Sequence, residues 1–227
     1  MIRAICFDFD GTLVDSEQLH YAAWQAELQP FGCSLEKSRY LAQFSGVSTY
    51  ATANTLIDDY QLPISTEQLM AQKTDRFLFL LKTELPTPMP GADQLLRDMQ
   101  QSGLTVALVT GSYRKEIEPM LAHLGWRDCF SLIITRDDVQ NGKPHPEPYL
   151  TALERLNLPA EACLALEDSA TGIRSAHDAG LTVFAITTPH TNLAPDVGYS
   201  ALFYSLSAVG DHVRQSLLPP KNVMKQL

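Results

Sequence analysis

The sequence predicts an α/β protein: a doubly wound parallel sheet with an all-helical insert just after its first strand. Three observations carry this. The apolar run Ile2–Phe9 reads as a buried β-strand and ends in two carboxylates, Asp8 and Asp10, with a glycine turn just beyond. From about residue 105 onward, short β-rich runs alternate with helix-like segments, as repeated βα units do when they build a parallel sheet covered on both faces. Between these, residues 16–85 are helical in pattern and contain no convincing strand.

Taken in order, Ser16 is expected to cap the first helix, with Glu17 in its first turn, and that helix runs to about Leu28 before Pro30 and Gly32. Helix-like runs follow at Glu36–Phe44, Ala51–Tyr60 and Thr66–Lys82, and Pro86, Pro88 and Pro90-Gly91 form a breaker-rich joint. Beyond it, strands are expected at Thr105–Val109, Leu132–Thr135, Cys163–Leu166, Thr182–Ile186 and, more weakly, Ala201–Phe203. Helices are expected at Lys115–Leu124, near Pro146–Leu156, at Thr171–Ala179 and near Ser207–Leu217, with a frayed tail from Pro219. The division this implies is a core of residues 1–15 and 88–227 and a helical domain of residues 16–87.

Composition bounds the function classes. A chain of 227 residues, 45% hydrophobic, allows one large domain or a core with a modest insertion. The net charge of −9, without a Lys/Arg cluster, argues against nucleic acid or an anionic membrane as partner, so an anionic ligand must be met by local cations. No stretch approaches the ~18 apolar residues of a membrane span. The apolar N-terminal run meets Asp8 and Asp10 too early for a signal peptide, so a cytoplasmic setting is expected. Cys6, Cys33, Cys129 and Cys163 show no CxxC spacing and read as free thiols, Cys6 and Cys163 within buried strands. A monomer or weak homodimer is expected.

The chemistry gathers at strand ends. Two acids at the C-terminal end of a strand repel each other, so a metal ion or a reaction must hold them. In an open α/β sheet that edge is where ligands bind. Three further clusters follow core elements: Thr110-Gly111-Ser112 after one strand, Asn141-Gly142-Lys143-Pro144 in a loop before a helix, and Glu167-Asp168-Ser169 after another strand. A hydroxyl, a lysine and a second acidic pair thus join Asp8 and Asp10, a set suited to phosphoryl transfer.

These four motifs, in this order, resemble the haloacid dehalogenase-like superfamily of hydrolases, whose first motif is D-x-D-G-T; here it reads Asp8-Phe9-Asp10-Gly11-Thr12, with later matches at Thr110, Lys143 and Glu167-Asp168. The insert resembles the small helical cap of the β-phosphoglucomutase and phosphoglycolate phosphatase branch. The resemblance implies a Rossmann-like core with an inserted cap domain and a phosphatase that acts on a small phosphorylated metabolite, a sugar phosphate or a phosphoglycolate-like compound. It makes Asp8 the nucleophile and Asp10 the acid and base, with their pKa values pushed apart by crowding. It implies Mg²⁺ held by Asp8, Asp168, the backbone carbonyl of Asp10 and, at or just outside that shell, Glu167. Gly11 in the turn after Asp8, Thr110, the Gly111 amide and Lys143 would hold phosphoryl oxygens.

Within the branch, Ser45-Gly46-Val47-Ser48-Thr49 aligns with the cap loop that enters the active site, so Gly46 and Val47 are expected to face the substrate. His20 is placed at the hinge, where the mutases also carry a histidine. β-Phosphoglucomutases resemble Lys-Gly-Val-Ser-Arg in that loop, and the cations grip a second phosphate; Ser45 and Thr49 replace them here. Transfer to water is therefore expected over the alternative, mutase activity. The chain has no lysine between Lys37 and Lys73 for the Schiff base of a phosphonatase, and its complete Glu167-Asp168 motif argues against a metal-free dehalogenase. A receiver-like phosphorylation switch shares the acids, hydroxyl and lysine, but its accepting Asp follows a later strand and it has no insert of this size. Tyr40, Tyr50, Arg39 and Arg76 are unranked candidates for substrate contacts in the cap.

Overall fold

The computed structural model describes residues 1–187, 193 and 197–217. The first strand, β1 (Ala4–Phe7), is buried at every position. A central parallel strand is covered on both faces, which demands a continuous apolar run and not an alternating one. Ile5 and Phe7 enter one hydrophobic cluster, and Ala4 and Cys6 the other.

A short strand β2 (Val14–Asp15) leads into helices α1 (Glu17–Leu28), α2 (Lys37–Gln43), α3 (Thr49–Tyr60) and α4 (Thr66–Leu80). The chain returns through β3 (Thr87–Pro88), which pairs antiparallel with β2, Val14 opposite Pro88 and Asp15 opposite Thr87. This two-residue ribbon joins the crossings into and out of the insert. Its brevity and its proline read in sequence only as a joint. The helices α1 to α4 enclose a hydrophobic cluster of their own, which includes Trp24, Leu28, Tyr40, Leu56 and Leu69.

Then come α5 (Ala92–Gln101), β4 (Thr105–Val109), α6 (Arg114–Leu124), β5 (Leu132–Ile134), α7 (Glu147–Leu156) and β6 (Cys163–Glu167). After these lie α8 (Ala170–Asp178), β7 (Thr182–Ile186), β8 (Ala201–Phe203) and α9 (Leu206–His212). Residues 92–101, where no element is expected from the sequence, form α5; Leu95, Leu96 and Met99 on its buried face carry the helical spacing. The expected tail from Pro219 lies outside the described residues.

The six-stranded sheet runs β5-β4-β1-β6-β7-β8 and every neighbouring pair is parallel. Apolar residues of α5, α6 and α9 cover one face, and those of α7 and α8 the other. β1 lies between β4 and β6, so chain connections leave it in both directions. The crevice at its C-terminal end is where a doubly wound sheet places its ligand. No helix among the described residues is long and apolar enough to cross a membrane.

Candidate active site

Asp8 follows β1 directly, and the chain then turns back on itself, with the Leu13 and Val14 amides donating to the Phe9 carbonyl. Gly11 has φ +82°, and a Cβ there would lie 2.2 Å from Asp168 Oδ2. Only glycine both adopts that backbone and leaves room for the carboxylate arriving from β6. Gly11 thus acts through the side chain it lacks.

One half of the site gathers around Asp8. Asp8, Glu167 and Asp168 are buried, and one carboxylate oxygen from each lies within 4.8 Å of the others. Lys143 Nζ donates to Asp8 Oδ1 at 2.7 Å, to Glu167 Oε1 at 2.5 Å and to the Val109 carbonyl at 2.8 Å. Tyr149, on the buried face of α7, donates to the same Glu167 oxygen at 2.6 Å. Glu167 Oε2 is buried with no hydrogen-bond partner. Burial and the Asp8 charge push the Glu167 carboxyl up to about 7 against the pull of Lys143. Burial likewise raises Asp8, and burial with the Asp8 and Glu167 charges raises Asp168 well above the carboxylate range. For Lys143, burial works against the charge, but Asp8 and Glu167 outweigh it and hold the ammonium firmly protonated.

One lysine among three buried carboxylates leaves the cluster short of positive charge. An orphaned carboxylate oxygen and hard oxygen donors within 4.8 Å of one another are what a small divalent cation requires. The residues present therefore fit Mg²⁺.

The other half gathers around Asp10, whose carboxylate is bonded away from that trio. Ser16 donates to Oδ1 at 2.5 Å and Ser112 to Oδ2 at 2.6 Å; His20 Nε2 and Thr110 Oγ1 lie at 3.4 Å. Burial alone would raise this carboxyl, but the contacts from His20, Ser112 and Ser16 outweigh it and hold Asp10 well below the usual carboxylate range. The two acids are pushed apart, Asp10 downward and Asp8 upward; hydrogen bonding decides the direction of Asp10 and burial decides that of Asp8. Ser16, expected to cap α1, makes no side-chain cap bond, because its hydroxyl is spent on Asp10.

His20 stacks on Phe77, 4.3 Å between centroids, and its Nδ1 lies 3.0 Å from Lys73 Nζ. An ammonium can only donate, so Nδ1 accepts and the ring proton sits on Nε2, facing Asp10. Lys73 also pairs with Glu116 at 3.2 Å, both side chains being 1% exposed. Lys73 belongs to α4 and Glu116 to α6, so a buried ion pair joins the insert to the core. Glu116 Oε2 in turn accepts from the Tyr113 amide at 2.9 Å.

Asp8, Asp10, His20, Gly46, Val47, Gly111 and Lys143 line one pocket of about 100 Å³ between insert and core. Glu17, Tyr40, Lys73, Ser112 and Arg136 line it too. Thr110 and Gly11 lie behind its wall: Thr110 is 2% exposed and its hydroxyl accepts from the Ser112 amide at 3.0 Å. Gly46, at φ +70°, sits so close to the start of α8 that a Cβ would lie 2.5 Å from Ser169 Cβ, and its carbonyl accepts from the Thr171 hydroxyl. Of the four unranked cap candidates, Tyr40 alone lines this pocket; Tyr50 borders the wider cleft outside, Arg39 pairs with Asp59, and Arg76 with Glu27.

Sequence reasoning missed the parts played by Ser16, Glu17, Lys73, Ser112, Glu116 and Tyr149. Ser112 carried a signal, as the hydroxyl next to Thr110-Gly111 at a strand end. Lys73 and Glu116 carried none, since each reads as an ordinary charge on a helix.

The haloacid dehalogenase-like hydrolase profile matches residues 5–186. The chain is 31% identical over 183 residues to a bifunctional riboflavin kinase/FMN phosphatase of Arabidopsis thaliana, covering 80% of this chain and 48% of that protein, so it spans about half the length of that relative. It is 29% identical over 177 residues to the fructose-1-phosphate phosphatase YqaB of Escherichia coli, covering 78% of this chain and 92% of the relative. The crystal structure of CbbY from Rhodobacter sphaeroides in complex with phosphate superposes with a TM-score of 0.82 at 27% identity, over 92% of this chain and 97% of that one. The chain belongs to the haloacid dehalogenase-like hydrolase family.

Proposed function

We propose that this protein is a Mg²⁺-dependent phosphatase that hydrolyses the phosphomonoester of a small metabolite through an aspartyl-phosphate on Asp8. The observation that carries the reading is the division of labour between two adjacent acids. Asp8 lies with Lys143 and two more carboxylates, and Asp10 lies among three hydroxyls and an imidazole, both on one pocket. Relatives named as phosphatases of FMN and of fructose 1-phosphate support the substrate class.

In the first step an Asp8 oxygen attacks phosphorus, the ester P–O bond breaks, and Asp10 in its protonated state gives its proton to the leaving alcohol. In the second, Asp10 as carboxylate takes a proton from the water that attacks the phosphoryl group, the bond between the Asp8 oxygen and phosphorus breaks, and inorganic phosphate leaves with the Asp8 carboxylate restored. The hydrogen bonds of Asp10 favour its ionised state. Lys143 and the Gly111 amide hold phosphoryl oxygens at the pocket, while Thr110 and Gly11 shape the turns behind it. Asp8, Asp168 and the Asp10 carbonyl, with Glu167 beside them, would hold Mg²⁺, which would supply positive charge against the repulsion between an anionic nucleophile and an anionic phosphate.

Residues 16–87 act as a cap, and the contacts of Gly46 with Ser169 and Thr171 support a closed position for it. Closure excludes bulk water from the first step. Transfer to water is favoured over a mutase because the loop at residues 45–49 brings no cation into the pocket. Release of inorganic phosphate from p-nitrophenyl phosphate with Mg²⁺, reduced about 10⁴-fold or more in Asp8→Asn, is the expected result. Wild-type levels of release in Asp8→Asn would overturn the reading. Conversion of β-glucose 1-phosphate to glucose 6-phosphate faster than phosphate release, with a bisphosphate activator present, would favour the mutase.

A further inference from the structure

The wall that the insert gives the pocket contains an acid where an anionic substrate would ordinarily meet cations. Glu17 lies in the first turn of α1, is 8% exposed and lines the pocket. Its Oε2 accepts from the Tyr40 hydroxyl at 2.8 Å, a bond between α1 and α2 that is wholly buried. Among the described residues no lysine, arginine or histidine forms an ion pair with Glu17. The cation nearest in kind, Lys73, is committed to Glu116 and His20. Tyr40 is 3% exposed, and burial with the neighbouring Glu17 charge pushes its phenol well above the ordinary value, so it remains a donor.

Tyr40 occupies Oε2, and among the described residues no group donates to Oε1 of this carboxylate, which borders both this pocket and a neighbouring cleft beside Gly11 and Met89. A substrate carboxylate or second phosphate would be repelled there, and a carbonyl or ether oxygen could only crowd it. A group that donates a hydrogen bond satisfies it, and an alkyl group in the same place leaves it desolvated and unpaired. Trp24, 3% exposed, lines the same pocket and adds an apolar ring to it, a combination suited to the alternating C–H and O–H faces of a polyol.

We propose that Glu17, oriented by Tyr40, binds a hydroxyl of the leaving group, so that the enzyme selects polyol and sugar phosphates against phosphorylated carboxylic acids. The inference rests on the phosphatase reading above and sharpens its substrate class. Tyr40 acts as a positioning residue, because its hydroxyl reaches Glu17 and holds the carboxylate in place.

The test compares three esters that share the phosphate and differ in the leaving group: glycerol 3-phosphate with two hydroxyls, n-propyl phosphate with none, and phosphoglycolate with a carboxylate. p-Nitrophenyl phosphate serves as the common reference. The wild-type protein is expected to prefer glycerol 3-phosphate over n-propyl phosphate by about tenfold or more in kcat/KM, and phosphoglycolate to be the poorest of the three. In Glu17→Gln the ratio of glycerol 3-phosphate to n-propyl phosphate falls about tenfold, while phosphoglycolate gains relative to both. Tyr40→Phe, which keeps the ring in place, moves the same ratios in the same direction by a smaller factor.

Glu17 also contributes to raising Asp168, so the Mg²⁺ concentration for half-maximal rate is measured in parallel. Equal loss on all esters with a weakened Mg²⁺ requirement would overturn the proposal and move Glu17 to the support of the metal. So would a wild-type preference for phosphoglycolate. Failure to release phosphate from any ester, p-nitrophenyl phosphate included, would overturn the phosphatase reading itself. Good turnover with no dependence on the hydroxyls would overturn this inference alone.

Discussion

The two acids of the site differ in who holds them. Every partner of Asp8 comes from the core: Lys143 from the loop before α7, and Glu167 and Asp168 from the end of β6. Asp10 is held from both sides, with Ser112 and Thr110 donating from the core and Ser16 and His20 from the start of the insert. The Asp8 half can therefore be complete with the cap in any position. The Asp10 half is complete only when α1 and α4 stand where they do here, with Lys73 buried against Glu116. In the proposed mechanism the nucleophile is thus prepared by the sheet, and the proton carrier by the placement of the insert.

Lys143→Met should have the largest effect, and it tests the core half. The variant leaves Asp8 and Glu167 buried without their cation, and breaking such a cluster costs about 3–5 kcal/mol of stability. Phosphate release should fall about 10³-fold or more, since the proposed mechanism has the same ammonium meet the phosphoryl group. Chemical denaturation and steady-state kinetics check the two effects separately. Added Mg²⁺ should raise the melting temperature of the variant less than that of the wild type if the lysine helps to arrange the metal's carboxylates.

Lys73→Met tests the other half and should leave the Asp8 cluster intact. Glu116 then keeps only its bond from the Tyr113 amide, and His20 loses the donor that fixes its tautomer. A fall of about 10²-fold in kcat/KM is expected, in the range that general acid–base positioning supplies. Small-angle scattering in the presence of a phosphate-mimicking metal fluoride should show a less compact particle than wild type. The double variant Lys73→Met/Glu116→Gln should recover part of the lost stability and none of the activity. Full activity in the single variant would show that Asp10 is set by the core donors Ser112 and Thr110 alone, and the contrast between the halves would collapse.

The same contrast explains what the sequence could and could not show. Asp8, Asp10, Thr110 and Glu167-Asp168 are legible because each follows or ends a strand in a short local motif, and a parallel sheet brings strand ends together by topology alone; Lys143 is legible from its Gly142-Lys143-Pro144 loop before a helix. Lys73 and Glu116 are 43 positions apart, one on a helix of the insert and one on a helix of the core, and nothing local marks either as buried. Ser16 misled for a related reason: before a helix, a serine reads as a cap, and only the third dimension shows Asp10 competing for its hydroxyl. In α5, the breakers Pro88, Pro90 and Gly91 drew attention from a well-spaced apolar face just behind them.

The smallest effect belongs to an acid that the core holds outside the site, and it sharpens the comparison by removing chemistry from it. Asp138 accepts from the Thr135 amide at 2.9 Å and hydroxyl at 2.8 Å, from Arg114 at 3.0 Å and from Arg155 at 2.9 Å. Burial alone would raise it, but the Thr135 bonds and the two guanidinium groups outweigh that and bring the carboxyl down to about 2. Its pKa is lower folded than unfolded, so its contribution is fully present above the ordinary value of 3.8 and is lost as pH falls from there toward about 2. The side chain is 15% exposed, and solvent trims the contribution to about 1–2 kcal/mol. Asp138→Asn should lose about that much stability at neutral pH and show a flatter decline between pH 4 and 2, followed by urea denaturation across the range. All its donors lie in the core, so the same loss should appear in the Lys73→Met background; a change in that loss would mean that the cap reaches further into the core than the ion pair at Glu116.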